Sequence, residues 1–261
     1  MYISIKSLSQ SLFFCALFSI VIGYQESHAR TKGCASCSAE KTSRKSKHSR
    51  YRKQALKFQS SAVAAVMDDL YRGANGSIIS PAESDFIKAK GGNSTYGEIT
   101  PSALTALLQQ LSITKKDVLY DLGSGTGKVV MQSYLEFPFK KVVGIELSAQ
   151  RYKEAQRALA GLKSRGFVDK KRSISFIQGD IVETPYTDAT VVYLCSTCFS
   201  DDLMTKLAEK FSRLKKGARI VTLKQIPHPN KYRLQLIHEC RQAMSWSTPE
   251  GSPVYIYKKT K

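Results

Sequence analysis

Seven residues, Asp121-Leu122-Gly123-Ser124-Gly125-Thr126-Gly127, constrain this chain more than any other stretch. They follow a short apolar run at 118–120 and lead into a helical pattern over 128–135. A strand, a glycine-rich turn and a helix in that order belong to a parallel sheet with crossover helices. The alternation continues along the chain. Strands are predicted over 141–145, 173–177, 190–194 and 219–223. Helices are predicted over 149–162, with Ala155, Ala158, Leu159 and Leu162 on one face, and over 203–214. This predicts an α/β fold with helices on both faces of the sheet. Residues 232–258 read as two strands around the turn Pro249-Glu250-Gly251-Ser252. Ahead of the sheet, 62–71 carries apolar residues at helical spacing. A helix over 100–111 has Thr100 at its cap position, Pro101 at its first turn and a stripe of Leu104, Leu107, Leu108 and Leu111. The expected organisation is an N-terminal helical extension over 58–112 and an α/β core over 113–261.

The glycine spacing selects among ligands. Gly123, Gly125 and Gly127 let the backbone approach a ligand closely. A dinucleotide loop needs G-x-G-x-x-G, and a phosphate loop needs Ser or Thr after its lysine, where Val129 follows Lys128 here. An acid two residues before G-x-G-x-G is the pattern of S-adenosylmethionine sites, with Asp121 answering the cationic methionine end. Glu146 closes the second strand, where a carboxylate can accept both ribose hydroxyls. Asp180 closes the third, in reach of an adenine amino group. Each acid alone fits a helix cap or surface turn. Three at the carboxyl ends of successive parallel strands fit one ligand crevice.

Tyr96-Gly97-Glu98 before a helix, Asp121 to Gly127, Gly144-Ile145-Glu146, Gly179-Asp180 and 214–224 together resemble the non-SET, disruptor-of-telomeric-silencing type of histone-lysine methyltransferase. Ser245-Trp246-Ser247 followed by Pro253-Val254-Tyr255 is similar to that family's closing hairpin. The likeness runs from about Tyr96 to Tyr257. It implies a seven-strand Rossmann-like class I methyltransferase sheet and S-adenosyl-L-methionine as cofactor. It also implies a protein substrate presenting a target lysine, on nucleosomal histone. The cofactor set it implies is Tyr96, Gly97, Glu98, Ile99, Asp121, Leu122, Gly123, Ser124, Gly125, Gly127, Lys128, Glu146, Asp180 and Ile181, with 96–98 closing over the methionine end. The chain departs from the family after the fourth strand. A pair of Asn before an aromatic is replaced by Cys195-Ser196-Thr197-Cys198-Phe199. The expected catalytic set is therefore Tyr96, Cys195, Ser196 and Phe199, with the Ser196 or Thr197 hydroxyl standing in for the carboxamide and Phe199 walling a lysine channel.

The first 57 residues differ in kind. Residues 1–29 read as a secretory signal: Lys6, an apolar-to-small run over 12–22, then Ser27-His28-Ala29. The run is short for a membrane span. Export is expected, with no stable membrane insertion after cleavage and delivery to a host nucleus as one destination. Residues 30–57 hold ten Lys or Arg and one acid, Glu40, within a chain of net charge +19. Such a segment has little to bury, so it reads as a disordered basic arm for DNA or a nucleosome, or as a solvated linker. Cys34-x-x-Cys37 and Cys195-x-x-Cys198 lie too far apart in sequence for a zinc finger, so no metal is expected. Two other functions stay open: a methyltransferase for a small molecule or a different protein, and a non-catalytic binding module on a cofactor fold.

Overall fold

A computed structural model describes residues 61–261. The signal segment, the basic arm and the Cys34–Cys37 pair lie outside the described residues. Helix α1 covers 61–70, α2 Pro81–Ala89 and α3 Pro101–Gln110. The core then runs β1 Val118–Leu122, α4 Lys128–Glu136, β2 Lys141–Glu146, α5 Ala149–Ser164, β3 Ser173–Gln178 and β4 Val191–Leu194. It closes with α6 Asp201–Phe211, β5 Arg219–Thr222, a 3-10 turn Pro229–Tyr232, β6 Leu234–Gln242 and β7 Ser252–Lys259. The sheet order is β3-β2-β1-β4-β5-β7-β6. β1 to β5 are parallel, and β7 enters antiparallel between β5 and β6. This is the seven-strand Rossmann-like arrangement that the sequence predicts.

Strand periodicity sorts the two faces of the sheet. Leu119 packs with α3, α4 and α5 through Leu104, Met131 and Ala158. Val118, Tyr120 and Leu122 point the other way, onto Leu203, Leu207 and Phe211 of α6. All five residues of β1 are buried, as a strand covered on both faces must be. Leu70 and Tyr71 join the first of these clusters, so the helical extension shares the core of the sheet.

Local signals explain where helices start. Ser148 caps α5 by accepting from Arg151 N at 3.2 Å, and Ser200 caps α6 by accepting from Leu203 N at 3.1 Å. Helix α2 was not legible as an amphipathic stripe because only Ile87 is buried. It is held by its cap, Ser80 accepting from Glu83 N, with Pro81 in the first turn. Thr100 differs from its expected role. It sits at the cap position of α3, yet its hydroxyl makes no capping bond and lies buried without a partner. Its amide instead donates to Ala243 O at 3.0 Å. Thr100→Val keeps the shape and removes the orphaned hydroxyl. We expect stability to rise by about 1 kcal/mol, read as a higher Tm by differential scanning fluorimetry. A lower Tm would show that the hydroxyl has a partner.

Candidate cofactor and substrate site

The carboxyl ends of β1, β2 and β4 open into a cavity of about 890 Å³. Its floor is the loop after β1. Gly123 and Ser124 donate their amides to Ile145 O at 2.8 and 2.9 Å, which ties the loop to β2. Glu146, 6% exposed, then accepts from Gly125 N at 2.7 Å and from Ser148 N at 2.8 Å. One carboxylate thus fixes both the glycine loop and the start of α5. Burial pushes the Glu146 carboxyl above its ordinary value, and the Ser148 and Gly125 amides pull it back.

Asp121, 2% exposed, lines the same cavity. Burial and then the Glu146 charge push its carboxyl well above the usual range, with no hydrogen bond opposing them. A buried carboxylate placed this way wants a cation. Asp180 and Ile181 line the far end, where Asp180 Oδ1 accepts from Val182 N at 2.7 Å and shapes the turn after β3.

Tyr96-Gly97-Glu98 closes the near side. The Tyr96 hydroxyl donates to a Glu98 carboxylate oxygen and sits 2.9 Å from Thr126 Oγ1. Lys128 Nζ donates to the other Glu98 oxygen at 2.8 Å. The Arg151 guanidinium lies 4.9 Å from the centre of the Tyr96 ring. A Cβ on Gly125 would come within 2.7 Å of the Tyr96 ring, so the glycine lets the ring lie on the loop backbone. Burial, followed by the Glu98 charge, raises the Tyr96 phenol far above its ordinary value and keeps it neutral.

Most of the expected cofactor set converges here: Tyr96, Gly97, Glu98, Ile99, Asp121, Gly123, Ser124, Gly125, Lys128, Glu146, Asp180 and Ile181 all line the cavity. Three expected residues do not. Leu122 is fully buried in the core facing α6. Gly127, at φ +88°, starts α4 and packs against Phe176, whose ring a Cβ there would strike at 2.4 Å. Ser196 is fully buried, and its Oγ accepts from Leu223 N at 3.1 Å and Lys224 N at 3.0 Å. Its hydroxyl braces the 195–199 turn against the end of β5, which corrects the expectation that it faces an amine. Cys195, Thr197, Cys198 and Phe199 do line the cavity. Burial pushes the Cys195 thiol up to about 12, so it serves as a neutral wall.

The sequence reading missed Tyr193, Arg151 and Trp246. Tyr193 lies inside the strand predicted over 190–194, yet the residue lines the cavity and its buried hydroxyl has no partner. Trp246, 43% exposed, stands at the mouth. Only its place in the closing-hairpin motif could have flagged it. Ser124 lines the cavity too, while its buried, unpartnered Oγ lies toward Gly144 of β2, where a Cβ would fall 2.5 Å from it. A bare carboxylate, a second carboxylate at a strand end and a glycine cradle fit a ligand with a cationic end, a diol and a flat ring. S-adenosylmethionine has all three.

Residues 78–252 match the family model described as "Histone methylation protein DOT1". A Caenorhabditis elegans histone-lysine N-methyltransferase, H3 lysine-79 specific, is 36% identical over 141 residues, 51% of this chain and 15% of that protein. The Kluyveromyces lactis enzyme of the same name is 28% identical over 178 residues, 64% of this chain and 31% of that protein. A protein-lysine N-methyltransferase from Saccharolobus islandicus is 29% identical over 116 residues, 44% of this chain and 67% of that protein. The chain thus spans less than a third of the two eukaryotic relatives. With the strand order and the closed 96–98 segment already pointing the same way, a match over residues 78–252 places this chain in the DOT1 family of histone methylation proteins.

Proposed function

We propose that this chain is an S-adenosylmethionine-dependent protein-lysine N-methyltransferase acting on a histone or another DNA-associated basic protein. One observation carries the reading: Asp121 and Glu146 on strand ends share a cavity with Tyr96-Gly97-Glu98 folded over the glycine loop. Family membership and the names of the relatives support lysine as the target. When bound, the cofactor supplies a methyl group already activated on a sulfonium.

The residues of the chain then bind, orient and exclude water. Asp121 answers the methionine ammonium, Glu146 takes the ribose hydroxyls, and Asp180 faces the adenine. Holding amine and methyl in line supplies much of the rate. The incoming lysine must lose a proton, and its ordinary pKa is about 10.4. Phe199, Cys195, Ile99 and Trp246 wall the cavity with apolar surface. That wall dehydrates the ammonium and lowers its pKa. The Tyr96 hydroxyl is neutral and engaged with Glu98 and Thr126. Deprotonation therefore rests on desolvation, with no phenolate required.

Charge supports the partner class. Residues 61–261 alone hold 29 Lys and Arg against 19 Asp and Glu. A body of this sign repels a free basic tail and is drawn to DNA around a packaged one. Export through the 1–29 signal, with DNA or nucleosome binding by the 30–57 arm, belongs to the same proposal. The mature N-terminus, read by intact-mass spectrometry of the secreted protein, tests the export step.

The experiment is transfer of labelled methyl to nucleosomes, free histones and naked DNA. Label on nucleosomal histone, absent with Glu146→Ala, is expected. Cofactor binding without label on any of the three would sink the histone reading and favour another substrate or a non-catalytic role.

A further inference from the structure

The 96–98 segment is held from outside the cofactor cavity. Ile99 forms an antiparallel bridge with Met244, in the connection between β6 and β7. Thr100 N donates to Ala243 O at 3.0 Å, and Ser245 N donates to Glu98 O at 2.8 Å. Glu98 N donates in turn to Ser245 Oγ at 3.1 Å. Residues 98–100 therefore run antiparallel to 243–245 around this single bridge. The Trp246 ring covers the Gly97 backbone so closely that a Cβ there would fall 2.3 Å from the ring.

We propose that Ser245 is a positioning residue for the cofactor. It is not among the residues lining the cavity, but both its amide and its hydroxyl hold the Glu98 backbone. Glu98 in turn gathers Lys128 and Tyr96 over the glycine loop. Releasing Glu98 N lets the 96–98 segment open, so cofactor leaves sooner while arriving at an unchanged rate.

This inference rests on the cofactor reading above, and the test separates the two. Trp246 is the only tryptophan in the chain, so its fluorescence reports on the segment directly. S-adenosylhomocysteine is titrated into the full protein while fluorescence is followed, and stopped-flow gives the rates. For Ser245→Ala we expect an off-rate about three- to tenfold faster, as loss of one hydrogen bond permits, with on-rate and Tm close to wild type. Ser245→Thr keeps the hydroxyl and should restore the wild-type off-rate. Wild-type binding with an unchanged off-rate in Ser245→Ala overturns this proposal alone. A faster off-rate that Ser245→Thr fails to restore, with lower Tm in both variants, also overturns it, because the role is then structural. Absence of wild-type binding overturns the cofactor reading and this inference together.

Discussion

Asp121→Asn should leave the protein at least as stable as the wild type and unable to hold its cofactor. The Asp121 carboxyl is pushed well above its ordinary value by burial and by Glu146. The folded protein therefore holds this proton more tightly than the unfolded chain. Stability from this site is present below the unfolded value and is lost as pH rises through the raised folded value. Asn removes that loss at neutral pH, so Tm should rise or stay level. The same change removes the only partner we assign to the ligand ammonium. Losing one member of a buried charge pair costs about 2–5 kcal/mol, roughly 30-fold to several thousand-fold in Kd. Wild-type affinity should also fall as pH drops through the raised Asp121 value, since the cation binds the ionised form. Calorimetry in buffers of different ionisation enthalpy reads the proton released on binding. Tight, pH-independent binding by Asp121→Asn would remove Asp121 from the site.

Glu146→Ala should lose binding and stability together. Its carboxylate accepts from Gly125 N and Ser148 N while lying 6% exposed. Truncation strips two buried amides of their acceptor, at about 1–3 kcal/mol for each group left unmade. We expect Tm to fall by several degrees. Cofactor binding should weaken at least about a hundredfold, because two hydroxyl bonds to a charged acceptor are lost with the loop geometry. Glu146→Gln separates the effects: it restores one acceptor oxygen and part of the stability, but not the charge. Equal loss of stability in Asp121→Asn and Glu146→Ala would contradict the different environments of the two carboxylates.

The two acids show how far a sequence can be read here. Both were legible because a parallel strand carries its carboxyl-terminal residues, Asp121 in β1 and Glu146 in β2, to the sheet rim, whatever the neighbours do. Asp180 sits two residues past the end of β3, in the turn that follows it on the same rim. Ser196 was misread because nothing local tells whether a hydroxyl after a strand faces a ligand or the next strand. The choice was made by the unpaired amides of Leu223 and Lys224, some 27 residues away in sequence. Thr100 was misread in the same way: its amide is taken by Ala243, and its hydroxyl ends up against neighbours that offer no partner.

Sequence alone determined the elements of the sheet, the glycine loop and the acids that border it. These follow from apolar periodicity and backbone conformation, which act over a few residues. Tertiary structure alone decided that the 96–100 segment lies along 243–246, that Trp246 covers Gly97, and that Tyr193 lines the cavity. These depend on hydrogen bonds and close packing between residues as far as 147 positions apart, and such contacts exist only once the chain has closed on itself.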